Sequence, residues 1–263
     1  MAFNSLARLL VVFWVAFFST VLSPPVSSAQ LKVKDILNKL DDNYYYPQKN
    51  GLAGISARLE WEQRDMSSAS ETYLKNPGFR FNAEFNNGIS SKGFSIDEGT
   101  VILSDDEKTQ YLRILNNYAD AFIPKTLLEQ LSNYSGEIIS AKKREVLLQF
   151  ESSDSLETVK GYGLIVDPAN WRLASIQVRQ ENEPLNVEGK FKYTRKGGRW
   201  AVVETMTSFL MNDQNFSERT EYTYKKFKSF WLVHKVRQTV RREGQIVLSY
   251  RFRLVDYEVS SEN

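Results

Sequence analysis

Few residues in this chain could do chemistry. It has no Cys and one His, His234. Nucleophilic catalysis needs a base held beside Ser, Thr or Cys, and His234 lies in a basic, strand-like stretch with no recognisable partner, so it reads as structural or exposed. The densest acidic run, Asp105-Asp106-Glu107, lacks the alternating oxygen ligands and the Gly of a calcium loop and reads as a solvated turn. Glu181 and Glu183 read the same way. No G-x-G-x-x-G or P-loop occurs. Carboxylates paired across facing strands are able to perform hydrolysis, but spacing along the sequence does not show whether any two converge. The reading is a non-enzyme with no metal site and no cofactor.

The positive signal is apolar and aromatic. Phe79, Phe81, Ala83 and Phe85 alternate with Arg80, Asn82 and Glu84, which gives one apolar and one wet strand face. Asn76-Pro77-Gly78 before them is turn chemistry. The stretch from Tyr73 to Tyr111 is read as an outgoing strand and a return toward Tyr111. If the alternation holds, Leu59, Trp61, Phe79, Phe81, Phe85, Leu103 and Tyr111 line a concave face and are the candidate ligand-binding residues. The bland alternative for each is an ordinary filled core.

The elements that would position this face follow the chain. Val33, Ile36, Leu37, Leu40 and Tyr44 form one stripe of an amphipathic helix over Lys32–Tyr45, stopped by Pro47 and Gly51. Ile55, Ala57, Leu59 and Trp61 then switch to period two. Ser67 and Ser68 mark a turn. Pro124 opens a second short helix carrying Leu127, Leu128, Leu131 and Tyr134, too short to stand without a sheet beneath it. Ile36, Leu40, Leu128 and Leu131 are the candidate lid residues. From Lys143 onward strand follows strand, with turns at Asp167-Pro168, Lys196-Gly197-Gly198-Arg199, Asn212–Asn215 and Glu243-Gly244. Ten or eleven antiparallel strands with two helices define an α+β fold, a large curved sheet forming a half-open β-barrel lidded by helices. So much sheet under so little helix must leave apolar surface exposed, associated or ligand-filled.

Residues 1–29 read as a secretory signal peptide, with Arg8, the apolar run Leu9–Phe18 and Ser27-Ser28-Ala29 before Gln30; the run is shorter than the ~20 residues of a spanning helix. Residues 30–263 read as one domain. Export without Cys fits a bacterial periplasm, where the fold must rely on its core. A formal net charge of +2 argues against a nucleic-acid partner. The C-terminal third is locally basic, however, from Lys190 and Lys192 through Arg195, Lys196, Arg199, Lys225, Lys226 and Lys228 to Arg251 and Arg253. These are solvated strand positions or a face that touches anionic lipid or a partner.

The order of signal peptide, helix and strand, with LKNPGFRF (Leu74–Phe81) and VILSDDEKTQYL (Val101–Leu112), resembles the LolA/LolB-like lipoprotein-sorting carriers, as does Val166-Asp167-Pro168 followed by Leu173–Val178. The resemblance implies an unclosed barrel whose apolar hollow takes up acyl chains of lipoproteins or lipids in the periplasm, for transfer toward the outer membrane, with an envelope protein as donor or acceptor and transient membrane contact. Two positions depart from the pattern. Asn76 stands where the carriers place the lid-latching Arg, and Asp106 replaces a Gly, so the latch does not carry over. The alternative is an envelope interaction or stress-sensing module that binds a protein partner on the same fold. Burying about fifteen methylenes at ~0.8 kcal/mol each gives ~12 kcal/mol gross, enough for carriage without catalysis.

Overall fold

The computed structural model describes residues 32–66, 72–75, 78–86, 89–97, 103–154 and 156–261. The expected leader, the Ser67-Ser68 and Asn76-Pro77 turn residues, and Val101 and Ile102 lie outside them. No helix among the described residues is long and apolar enough to cross a membrane.

The sequence folds into one antiparallel sheet. Its strands are β1 (Leu52–Asp65), β2 (Thr72–Lys75), β3 (Phe79–Asn86), β4 (Ile89–Ile96), β5 (Tyr134–Lys142), β6 (Glu145–Ser152), β7 (Val159–Asp167), β8 (Arg172–Gln180), β9 (Asn186–Lys196), β10 (Arg199–Met211), β11 (Gln214–Phe227), β12 (Phe230–Arg242) and β13 (Gln245–Ser261). The order is β4-β3-β1-β13-β12-β11-β10-β9-β8-β7-β6-β5, with β2 paired to β1. The last strand therefore returns to the first, and β4 and β5 remain as separate edges. This is the expected half-open barrel.

From β5 to β13 the sheet is a meander, so successive turns fall at opposite ends of the strands. The Gly197-Gly198 turn forms as its composition predicts, with both residues at positive φ (55° and 82°), where a side chain would strain the backbone. The β10–β11 turn uses Asn212 and Asp213 in the same region, at φ 50° and 58°.

Helix α1 (Val33–Asn43) follows the predicted stripe, with Ile36, Leu37 and Leu40 buried. Two expectations are corrected. The stretch read as a return toward Tyr111 is helix α2 (Asp105–Asn116), because Ser104 and Glu107 form a capping box: Ser104 Oγ accepts from the Glu107 amide, and the Glu107 carboxylate accepts from the Ser104 amide. The acidic run is thus the first turn of a helix, where negative charge suits the macrodipole. The second predicted helix, opened at Pro124, shrinks to the single turn α4 (Leu127–Gln130), Tyr134 starts β5 instead, and a further turn not predicted, α3 (Ala119–Phe122), precedes α4.

The inner face carries two separate packed regions. Under α2 and α3, one core joins Leu59, Trp61, Phe79, Phe81, Phe94, Leu115, Phe122, Val236 and Phe252. Toward the other edge, α1 lies against α4, β5, β8 and β10. There Val146, Leu148, Phe150, Leu164, Val166 and Leu173 are buried.

The outer face is held by cross-strand ion pairs. Arg253 bonds Glu60, Arg251 bonds Glu62 at 2.8 Å, and Lys192 and Arg219 flank Glu204 at 2.7 and 2.6 Å. These are the solvated strand positions expected of part of the basic C-terminal third.

Candidate functional site

Between the two packed regions the inner face is hollow. A cavity of about 260 Å³ lies over β8–β11, floored by Ile176, Phe191, Tyr193, Val202, Thr205, Tyr222 and Tyr224. Its cover is the linker Tyr44-Tyr45-Tyr46 on one side and the segment Asp120–Leu127 on the other.

The three consecutive tyrosines form a bar pinned across the sheet. The Tyr45 amide donates to the Trp200 carbonyl at 2.8 Å. Tyr44 Oη accepts from the Leu173 amide (2.7 Å) and lies 3.1 Å from Tyr193 Oη, which donates to the Leu173 carbonyl (2.9 Å). Tyr45 Oη accepts from the Trp231 amide (2.8 Å), and Tyr46 donates to Asp41 Oδ1 (2.7 Å). Every hydroxyl of the bar is engaged, so the rings are free to serve as apolar wall. Burial pushes the Tyr44 phenol up to about 12 and raises Tyr46, Tyr193 and Tyr224, so these hydroxyls stay protonated at neutral pH.

Asp41 locks the cover together. It is a buried carboxylate that also accepts from the amides of Leu127 (2.8 Å) and Leu128 (3.1 Å), which caps α4 against α1. Around the cavity, Asp120 pairs with Lys92 at 2.6 Å.

The expected lining residues are brought together, but away from this cavity. Leu59, Trp61, Phe79 and Phe81 are fully enclosed, and Phe85 nearly so. Tyr111, now on α2, meets Trp61 and Phe79 edge-on with centroids 5.8 and 6.1 Å apart, and Phe122 covers Phe81 at 5.4 Å. Leu103 is half-buried just before α2. Of the lid residues, Ile36, Leu40 and Leu131 are buried and Leu128 is half-buried. The residues that do line the cavity were missed, because nothing in sequence ties a helix end at Tyr44–Tyr46 to strands more than a hundred residues later.

His234 sits on β12 with Nδ1 3.3 Å from Tyr257 Oη. Burial, then the nearby Lys225, lowers its pKa, so the ring is neutral at pH 7. Among the described residues, no three His, Asp or Glu side chains cluster to hold a metal.

Fold and site together define an open antiparallel half-barrel with a partly filled, aromatic hollow. No protein-family model and no curated protein matches the chain. Among solved structures it is similar to a LolA superfamily protein from Nitrosomonas europaea, at 10% identity and TM-score 0.36, covering 89% of this chain and 96% of that one. It is also similar to a putative outer membrane lipoprotein-sorting protein domain from Vibrio parahaemolyticus, at 11% identity and TM-score 0.33, covering 86% and 91%. A third is the Pseudomonas aeruginosa MucA/MucB complex, at 10% identity and TM-score 0.22, covering 87% and 98%.

Proposed function

We propose that this protein is a periplasmic carrier that holds acyl chains of a lipid or lipoprotein in the hollow over β8–β11. The observation that carries the reading is the cavity itself, a largely apolar space walled by aromatic rings, among them Tyr44, Tyr45, Tyr46 and Tyr193, whose hydroxyls are already engaged. Such a wall gains from apolar contact and offers little to a polar solute. At about 260 Å³ the space takes only part of a long chain. The remainder lies along the half-exposed inner face beyond it, where Val187, Phe209, Phe216 and Val240 continue the same side of the strands.

Native mass spectrometry of the protein purified gently from cells, followed by organic extraction, tests this. A stoichiometric acylated adduct is expected, and it should disappear in Ile176→Asp or Val202→Asp, both at half-buried cavity positions that keep a folded circular dichroism spectrum. A clean mass, together with no uptake of an added fluorescent fatty acid, overturns the reading and favours a module that binds a protein partner.

A further inference from the structure

The meander sorts charge as well as turns. At one end of the strands lie the turns β5–β6, β7–β8, β9–β10 and β11–β12. These bring Lys142, Lys143 and Arg144, then Lys196 and Arg199, then Lys228 to one rim. At the opposite end, the loops β6–β7, β8–β9, β10–β11 and β12–β13 bring Asp154, Glu157, Glu181, Glu183, Asp213 and Glu243, which outnumber the strand-end cations Arg179, Arg241 and Arg242 beside them. A net charge of +2 conceals this polarity.

The basic rim also carries three half-exposed tryptophans, each with a cation on its ring. Arg195 Cζ lies 3.5 Å from the centroid of Trp200, Lys196 Nζ 4.1 Å from Trp231, and Lys39 Nζ 4.6 Å from Trp171. The rim is knit together, since Trp200 Nε1 donates to the Asn170 carbonyl at 2.9 Å and Arg199 reaches Asn50 at 3.3 Å. Its acids do not neutralise it. Asp167 is engaged by Ala169, Asn170 and Arg172, and Glu145 makes no ion pair among the described residues. Arg195, Lys196, Arg199 and Lys228 have no carboxylate in ion-pair reach there, in contrast to the paired arginines of the outer face.

We propose that this rim docks onto an anionic lipid surface. Tryptophan beside Lys and Arg is the composition of the membrane–water boundary, where the ring sits at headgroup level and the cations meet phosphate. Lysine is depleted from the cores of protein–protein interfaces, so the rim fits an acidic protein less well. Docking here does not depend on the cargo reading, because the rim lies outside the cavity apart from Trp200.

The test is co-sedimentation of the protein with vesicles of phosphatidylcholine alone or mixed with phosphatidylglycerol. Binding is expected only to the anionic vesicles, with a blue shift of tryptophan emission, and it should be lost at ~1 M salt, where screening acts over about 3 Å. The pair Lys196→Gln/Arg199→Gln should weaken binding by about twenty-five-fold, since each rim cation contributes about fivefold. Arg241→Gln/Arg242→Gln, an equal charge loss at the opposite end, should leave it within about twofold. Equal losses from both pairs, no association with anionic vesicles at low salt, or capture by an acidic protein with vesicles ignored would each overturn the proposal.

Discussion

The two ends of the inner face use the same materials to opposite effect. Over β1, β3, β4, β12 and β13, aromatic residues meet a cover that reaches down to them, and Trp61, Phe79, Phe81 and Phe252 have no space left. Over β8–β11, the cover is a bar of tyrosines held above the strands by its own hydrogen bonds, and a hollow remains. Both covers are hydrogen-bonded to the sheet, that of the filled region through Asn116, Tyr118 and the Ile123 carbonyl. The contrast lies in what each sends inward. From α2 and α3, Leu115 and Phe122 fill the space over the strands, with Phe122 5.4 Å from Phe81, whereas the tyrosine bar spends its side chains on bonds to Leu173, Trp231 and Asp41 and leaves the space beneath it open.

The comparison can be broken in order of size. Phe81→Ala in the filled region removes a fully buried ring and should cost ~3–5 kcal/mol, read from urea unfolding. Phe191→Ala in the hollow should cost under ~1 kcal/mol yet weaken acyl binding; similar stability losses at both sites would erase the distinction. Next is the lock on the cover. Asp41→Ala strands the Tyr46 hydroxyl and two amides, so a loss of about 3 kcal/mol is expected, with hydrogen exchange quickening first at Leu127 and Leu128. Enlarging side chains gives the opposite sign test. Ala57→Leu in the filled region should cost ~1–3 kcal/mol by overpacking, whereas Val202→Phe in the hollow should be nearly neutral while excluding ligand.

Much of the fold could be read from local pattern. Period two along Leu59 and Trp61 and along Phe79, Phe81 and Phe85 marked strands, and the Gly197-Gly198 and Glu243-Gly244 turns set the hairpins. The missed helix had a local signature as well, since Ser104 and Glu107 stand at capping-box spacing ahead of Tyr111 and Leu115. The hollow had none. Alternation reports which residues face inward, and Trp61 and Tyr222 satisfy it equally. Whether a cover reaches them depends on Tyr45 meeting Trp231 across the fold, a contact between positions 186 residues apart.

The smallest predicted effect concerns a charge left on the hollow face. Glu218 shares a face of β11 with Tyr222 and Tyr224, and Gln238 Nε2 donates to it weakly at 3.4 Å while accepting from Tyr118 at 2.5 Å. Burial raises its carboxyl above the ordinary value of 4.5. An acid whose folded pKa is raised stabilises the fold below the unfolded value and loses that contribution as pH rises through the folded one. Glu218→Gln, which cannot ionise, should therefore raise Tm at pH 7 by a few degrees and differ little from the parent near pH 4. A gain that is the same at both pH values would mean that the carboxylate is hydrated, and that this end of the hollow is open to water.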